Sequence, residues 1–161
     1  LCWVRRPHNR QTQHSLQLRS IIRITNRKRS SRMSRSEEGA CFCGAVKFRV
    51  HGEPEMMGFC HCTDCAAWAG APVNAFSLWK PANVEVYEGS DLVGSYAKTD
   101  ASHRKFCIEC GGHLMSSHPA MDMIDVYLNT VPGRQHEGAM HIFYGEKTMS
   151  VPDGLPKFKD M

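Results

Sequence analysis

The alternation of apolar and polar positions changes character near residue 37. Before it, Leu1 to Ser36 holds only Ile21, Ile22 and Ile24 as a small apolar group, and no helical or strand period runs through the segment. From Gly39 onward, short runs of strand-like pattern recur between turn signals. Ala45 to Val50 alternates apolar with basic residues and closes on His51-Gly52-Glu53-Pro54, the pattern of a half-exposed strand entering a turn. Further strands are expected at Val73–Trp79, Val84–Tyr87, Leu92–Tyr96, Ile124–Leu128 and Met140–Tyr144, punctuated by Pro81, Gly89, Pro119, Pro132-Gly133 and Gly145. The single helical turn expected is Thr63–Trp68, where Ala66, Ala67 and Trp68 favour a short helix. These patterns describe a mainly β domain over residues 37–161 with little helix, preceded by a disordered basic tail over 1–36. There is no internal repeat, and Gly111-Gly112 is too short to make a phosphate loop.

Composition fits one core: 161 residues, 42% hydrophobic and 22% charged, leave little room for a second domain. No stretch approaches the roughly 20 consecutive apolar residues of a membrane span, so no membrane partner is expected. The net charge of +4 conceals an asymmetry. Ten of the 20 Lys and Arg lie in residues 1–36, which hold no acid, whereas the remaining residues carry the other 10 against all 16 Asp and Glu. The tail is therefore +10 and the body −6, so the folded domain would repel a phosphate backbone and no nucleic-acid partner is expected for it. Two readings of the tail stay open: a transit segment, which its Arg and Ser content resembles, or sequence upstream of a start at Met33.

Seven of the eight cysteines fall in three tight groups: Cys41-Phe42-Cys43, Cys60-His61-Cys62-Thr63-Asp64-Cys65 and Cys107-Ile108-Glu109-Cys110-Gly111-Gly112. A disulfide scaffold is disfavoured, because C-x-C neighbours are poor bridge partners, seven is odd and no secretion signal is visible. A thioredoxin-like role is weaker still, since Cys107 and Cys110 lack the strand and long helix of a βαβ unit. Pairs at such spacing can aim two sulfurs at one ion, and zinc favours that arrangement. Seven thiolates divide most naturally as four plus three. Cys41, Cys43, Cys107 and Cys110 close a tetrahedral structural site, whereas Cys60, Cys62 and Cys65 leave a fourth position open for a substrate, which is the mark of a catalytic zinc. A histidine such as His61, His103 or His113 filling that position would make the second zinc inert instead.

These motifs, together with Ser102-x-Arg104-x-Phe106-Cys107, His141-Ile142-Phe143 and Asp153-Gly154-Leu155-Pro156-x-Phe158, closely resemble the glutathione-dependent formaldehyde-activating enzyme family, which includes centromere protein V. The resemblance spans about residues 37–160. It implies a β-tent of antiparallel sheets stapled by a structural zinc at Cys41, Cys43, Cys107 and Cys110, with a second, catalytic zinc at Cys60, Cys62 and Cys65. The implied activity is carbon–sulfur lyase chemistry on a thiol adduct, typified by S-(hydroxymethyl)glutathione. The run Ala66-Ala67-Trp68-Ala69-Gly70-Ala71-Pro72 after the third ligand is closer to the broad family than to its founding formaldehyde enzymes.

The expected partner is a small thiol or glutathione adduct. Asp64 is expected to orient the ligands from behind, and Arg104 or Lys105 to receive a glutathione carboxylate. No general base is assigned. The competing class is a non-catalytic, zinc-stapled interaction module, for which two zincs and seven thiolates would take the folded body to about −9. Clustered thiols without secretion signals suit a reducing interior, with the cytoplasm as the default compartment.

Overall fold

The structure, a computed structural model, describes residues 35–160. The tail expected over 1–36 falls almost wholly outside the described residues. Among the described residues ten strands and one α-helix follow in chain order: β1 (Ser36–Ala40), β2 (Lys47–His51), β3 (Met56–Cys60), α1 (Thr63–Ala69), β4 (Asn74–Trp79), β5 (Val84–Glu88), β6 (Val93–Thr99), β7 (Ser102–Cys107), β8 (His113–His118), β9 (Met123–Val126) and β10 (His141–Ile142). The protein is mainly β. β1-β2-β5 form a three-stranded antiparallel sheet, and β10-β3-β4-β9-β8-β7-β6 form a seven-stranded one whose pairings are antiparallel except for β10 with β3.

The alternation in β2 works as its sequence predicts. Phe48 and Val50 are wholly buried in the main core, while Lys47 and Arg49 face outward. On that outer face the neighbouring strands supply acids: Arg49 meets Glu38 of β1 at 2.7 Å and Glu85 of β5 at 3.9 Å, and Lys47 meets Glu88 at 3.0 Å. The core between these faces gathers Phe48, Trp79, Leu114, Met115 and Val126, and includes Cys41 and Cys107. A second, smaller cluster forms on the seven-stranded sheet around Cys60, Phe76 and Leu78. Beside the main core, Arg134, buried at 4% side-chain exposure, pairs with Glu37 and Glu53, donates to the Gly52 carbonyl and lies over the Trp79 ring. Full pairing makes such a buried cation tolerable.

Several elements depart from the sequence pattern. β1, β3, β7 and β8 lie outside the expected strands. Ser-Glu-Glu-Gly-Ala and Ser-His-Arg-Lys-Phe-Cys are too polar to read as buried strands, and Met-Met-Gly-Phe-Cys carries no β-branched residue. Their order comes from sheet partners on both flanks or, for β1, from its five-residue ladder with β2, to which the Glu38–Arg49 pair adds. The strand expected at Met140–Tyr144 shrinks to His141–Ile142, because Phe143 turns into the left-handed region (φ 53°) and Tyr144–Glu146 forms a 3₁₀ turn. Leu92 likewise belongs to a 3₁₀ turn, so that strand starts at Val93 and runs on to Thr99. The helix is as expected with one residue more, closed by Gly70 in the left-handed conformation.

Candidate metal and active site

The first cysteine group is built from two matching turns. Cys41 precedes Gly44 and Cys107 precedes Gly111, and in each turn the glycine amide donates to the first cysteine's carbonyl, at 3.0 and 2.8 Å. Both glycines stand at positive φ (81° and 70°), which the tight turn requires and an L side chain resists. Backbone amides then aim at sulfur: Val46 N–H donates to Cys41 Sγ at 3.2 Å and Gly112 N–H to Cys110 Sγ at 3.4 Å. The four sulfurs of Cys41, Cys43, Cys107 and Cys110 all lie within 4.8 Å of one another, although the pairs are 64 or more positions apart in sequence. Cys41 and Cys43 are 3.5 Å apart, far beyond a disulfide bond, and all seven cysteines of the three groups are free. Burial opposes ionisation of Cys41, but the Val46 amide and the thiols of Cys43 and Cys107 prevail and bring it down to about 6. Cys43 moves the other way, to about 12: although the Ala45 amide favours its thiolate, the thiols of Cys41 and Cys110 outweigh it.

The second group sits where β3 enters α1. Cys60 ends the strand, Cys62 is the residue that caps the helix, and Cys65 lies in its first turn, its amide donating to Cys62 Sγ at 3.3 Å. Their sulfurs are also within 4.8 Å of one another, and no histidine, aspartate or glutamate joins them among the described residues. Contact with the Cys60 and Cys65 thiols pulls the Cys62 thiol down strongly, and the Cys62 sulfur pushes Cys60 up. Arg104 donates to Cys65 Sγ at 3.8 Å and lies 5.6 Å from the Trp68 ring centroid. Sulfurs held by a tetrahedral zinc stand about 3.8 Å apart, given a zinc–sulfur distance of about 2.3 Å, so both donor sets are of the right kind and spacing for that ion.

The three-cysteine group opens on a cavity of about 380 Å³. Its floor is one face of the seven-stranded sheet, and register dictates what stands there. Arg104 on β7 pairs with Ser116 on β8, Ser116 with Asp125 on β9, Asp125 with Leu78 on β4, and Leu78 with Met56 on β3. Directly paired residues project to the same face, so all five line the cavity. Asp125 is 5% exposed, its Oδ1 accepts the Ser77 amide at 2.8 Å, and burial pushes its carboxyl up to about 7. It is the strongest acid–base candidate that sequence reasoning missed. The signal was present as a lone acid inside the apolar run Ile124–Leu128.

The histidines and charges near the cysteine loop go elsewhere. His61 is buried and turned away from the sulfurs, its Nε2 sharing a proton with His141 Nδ1 at 2.8 Å. His141 Nε2 in turn meets Asp153 Oδ2 at 2.7 Å, and Lys157 donates to Asp153 Oδ1 at 2.8 Å. Lys157 and His141 hold the Asp153 carboxyl far below its usual range. The Asp-Gly-Leu-Pro motif thereby buttresses the ligand loop through two imidazoles. Glu146 braces it too, accepting from the amide and the hydroxyl of Thr63 at 2.8 and 3.0 Å. His113 stacks on Trp68 with ring centroids 4.3 Å apart, and His103 faces the opposite side of β7 with Lys105. Of the two cations expected to meet a substrate carboxylate, only Arg104 reaches the cysteine side. The Asp64 carboxylate is engaged by Lys98 at 2.6 Å, so the part of Asp64 that faces Cys62 Sγ is its backbone amide.

Among the described residues no helix is long and apolar enough to cross a membrane. Residues 36–146 match the family described as glutathione-dependent formaldehyde-activating enzyme. A Halomonas elongata protein named "Putative glutathione-dependent formaldehyde-activating enzyme" is 32% identical over 113 residues, covering 62% of this chain and 72% of that one. A crystal structure of a Rhodobacter sphaeroides protein shares the fold at TM-score 0.52 and 19% identity, covering 61% of this chain and 90% of the other.

Proposed function

The chain belongs to the glutathione-dependent formaldehyde-activating enzyme family, and on that premise we propose that it is a zinc-dependent carbon–sulfur lyase acting on a thiol adduct, with formation or cleavage of S-(hydroxymethyl)glutathione as the family's type reaction. One observation carries the reading: three convergent sulfurs, joined by no fourth donor among the described residues, face a cavity, while four others make a complete donor set. Cys60, Cys62 and Cys65 hold the catalytic zinc, and Cys41, Cys43, Cys107 and Cys110 hold the structural one. A zinc so placed supplies a Lewis acid that keeps a substrate sulfur as thiolate at neutral pH.

The chain's own groups do the rest. Arg104, between the cysteine cavity and an adjoining groove of about 260 Å³ lined by Lys98 and Trp68, receives a substrate carboxylate on its fork of donors. Asp125 carries a proton in weakly acidic to neutral solution and exchanges it with the substrate oxygen. The apolar wall keeps bulk water from both. A reducing interior such as the cytoplasm suits seven free thiols.

A second, non-catalytic reading is favoured by Phe42, which lies between Cys41 and Cys43 and is 94% exposed, as an interaction module would require. Cobalt substitution separates the two. With cobalt in place of zinc, millimolar glutathione is expected to alter the visible spectrum as its sulfur enters the three-cysteine site, and the zinc protein is expected to turn over the glutathione–formaldehyde adduct. An unchanged spectrum with no turnover overturns the lyase in favour of the module.

A further inference from the structure

The cavity is far larger and more apolar than a hydroxymethyl group needs. We propose that it receives the S-linked substituent of the thiol adduct, and that this substituent is a bulky apolar group of about eight to twelve heavy atoms. The inference rests on the reading of Cys60, Cys62 and Cys65 as the site of the substrate sulfur.

Volume comes first. A water's share of liquid is about 30 Å³, so the two heavy atoms of a hydroxymethyl fill a small fraction of the cavity's 380 Å³ or so. The remainder would hold water against Phe76, Leu78, Met121, Ile142 and Phe143, side chains that offer it no hydrogen bonds. Cavities of 300 Å³ and more with mainly apolar walls and a few fixed polar groups are the usual hosts of larger organic ligands.

Asn74, paired with Cys60, and His118, two residues along β8 from Ser116, also line the cavity, and the other polar groups fall in order. Along the lateral row of the sheet they run Arg104, Ser116, Asp125 and then give way to Leu78 and Met56. Arg104 touches Cys65 Sγ, and Cys60 stands at the other end of β3 from Met56, so the sulfur and the polar part of the substrate belong where the cysteine loop meets Arg104. The far end, at Leu78 and Met56, is left to hydrocarbon. Only one Asp125 oxygen has a protein partner among the described residues, the Ser77 amide. The other is available to a substrate oxygen near the middle of the row.

The wall beside Cys60 is held in place at a cost. Phe143 keeps a left-handed backbone, unusual for a bulky residue, and is pinned by its amide to the Asp160 carbonyl at 2.7 Å and by its carbonyl to the Glu146 amide at 3.0 Å. Glu146 also grips Thr63 in the cysteine loop, so the aromatic wall and the sulfurs share one brace.

The test is direct binding to the metal-loaded full chain, measured calorimetrically with the thioethers S-methylglutathione and S-hexylglutathione. Each added methylene buried in the cavity is expected to tighten binding about four-fold, less what chain ordering takes back. The hexyl compound is therefore expected to bind about 100-fold tighter, and a gain below ten-fold overturns the proposal. Met56→Trp, which fills the apolar end from a partly exposed position, is expected to cut the hexyl-to-methyl ratio at least ten-fold. Met121→Trp serves the same purpose should the first variant fail to fold, and an unchanged ratio in the folded variant overturns the proposal. A chain-length gain without turnover of either the formaldehyde or the hexanal adduct of glutathione would leave the cavity assignment standing and remove the lyase. Turnover of the formaldehyde adduct without the gain would do the reverse.

Discussion

The two cysteine groups use the same donor atom and similar spacing, yet they occupy different surroundings. Cys41 and Cys107 are part of the main core, and their sulfurs meet two others. Cys60, Cys62 and Cys65 belong to the smaller cluster on the seven-stranded sheet, where three sulfurs face open space and a buried acid. Burial does not separate the groups, since Cys43 is exposed and none of Cys60, Cys62 and Cys65 is; donor count and the adjoining cavity do. A fourth sulfur completes a tetrahedron and leaves nothing to exchange, whereas a missing one matters only if a ligand can reach the gap. A protein that needs both stability and exchange gains by separating them, because each group can then be tuned without disturbing the other.

The sharpest way to break this comparison is Cys107→Ser. Cys107 is fully buried, and metal binding on the order of 10 kcal/mol or more is also folding energy at such a site. The variant is expected to lose its β signal in circular dichroism at 25 °C; a folded variant would show that the four-sulfur group is dispensable. Cys62→Ser is expected to do the opposite, lowering zinc from two ions per chain to one by elemental analysis and abolishing turnover, with the sheet signature intact. Unfolding together with loss of zinc would dissolve the distinction between the groups.

Asp125 sharpens it through pH. Its carboxyl stands at about 7 in the fold against 3.8 as an ordinary aspartate, so between those values the unfolded chain releases a proton that the fold retains. Stability is thus expected to fall as pH rises from about 4 to about 7 and then level off, by up to about 4 kcal/mol from this group. Asp125→Asn keeps an acceptor for the Ser77 amide and is expected to flatten that slope in denaturant titrations at pH 5 and 8. A slope unchanged by the substitution would place the carboxylate in a wetter site than its burial indicates.

A smaller effect is expected from His141→Ala, which strips His61 of its buried partner and removes packing against Phe59, costing about 3 kcal/mol. The loss should appear mainly as weaker zinc retention at the three-cysteine group. Equal loosening of both zincs would mean that the brace serves the whole domain. Lys98→Ala is expected to leave the melting temperature unchanged, because its pair with Asp64 is exposed on both sides.

How far each region was legible follows the same division. The cysteine groups could be read from spacing alone, since C-x-C and C-x-x-C place two sulfurs within reach of one ion whatever surrounds them. β2 was legible because its alternation reports its own two faces. β7 was not, since Ser102–Cys107 carries polar residues on both faces, toward the cysteine cavity and toward the opposite groove. A functional face looks like a loop when only hydrophobicity is counted.

Composition and local spacing thus fixed the number and type of the sulfur donors, the C-x-C and C-x-x-C pairs, the mainly β class and the short helix that carries Cys65, because each depends on residues within a turn or a strand of one another, whereas the meeting of Cys41 and Cys43 with Cys107 and Cys110 crosses 64 or more positions. Tertiary structure alone decided what faces the sulfurs. Arg104, Ser116, Asp125, Leu78 and Met56 come from five strands and meet in one row only through sheet register. His141 reaches His61 across 80 positions because β10 lies parallel to β3. No local pattern encodes such neighbours, since the pairing of strands distant in sequence is settled by the burial and hydrogen bonding of the whole sheet.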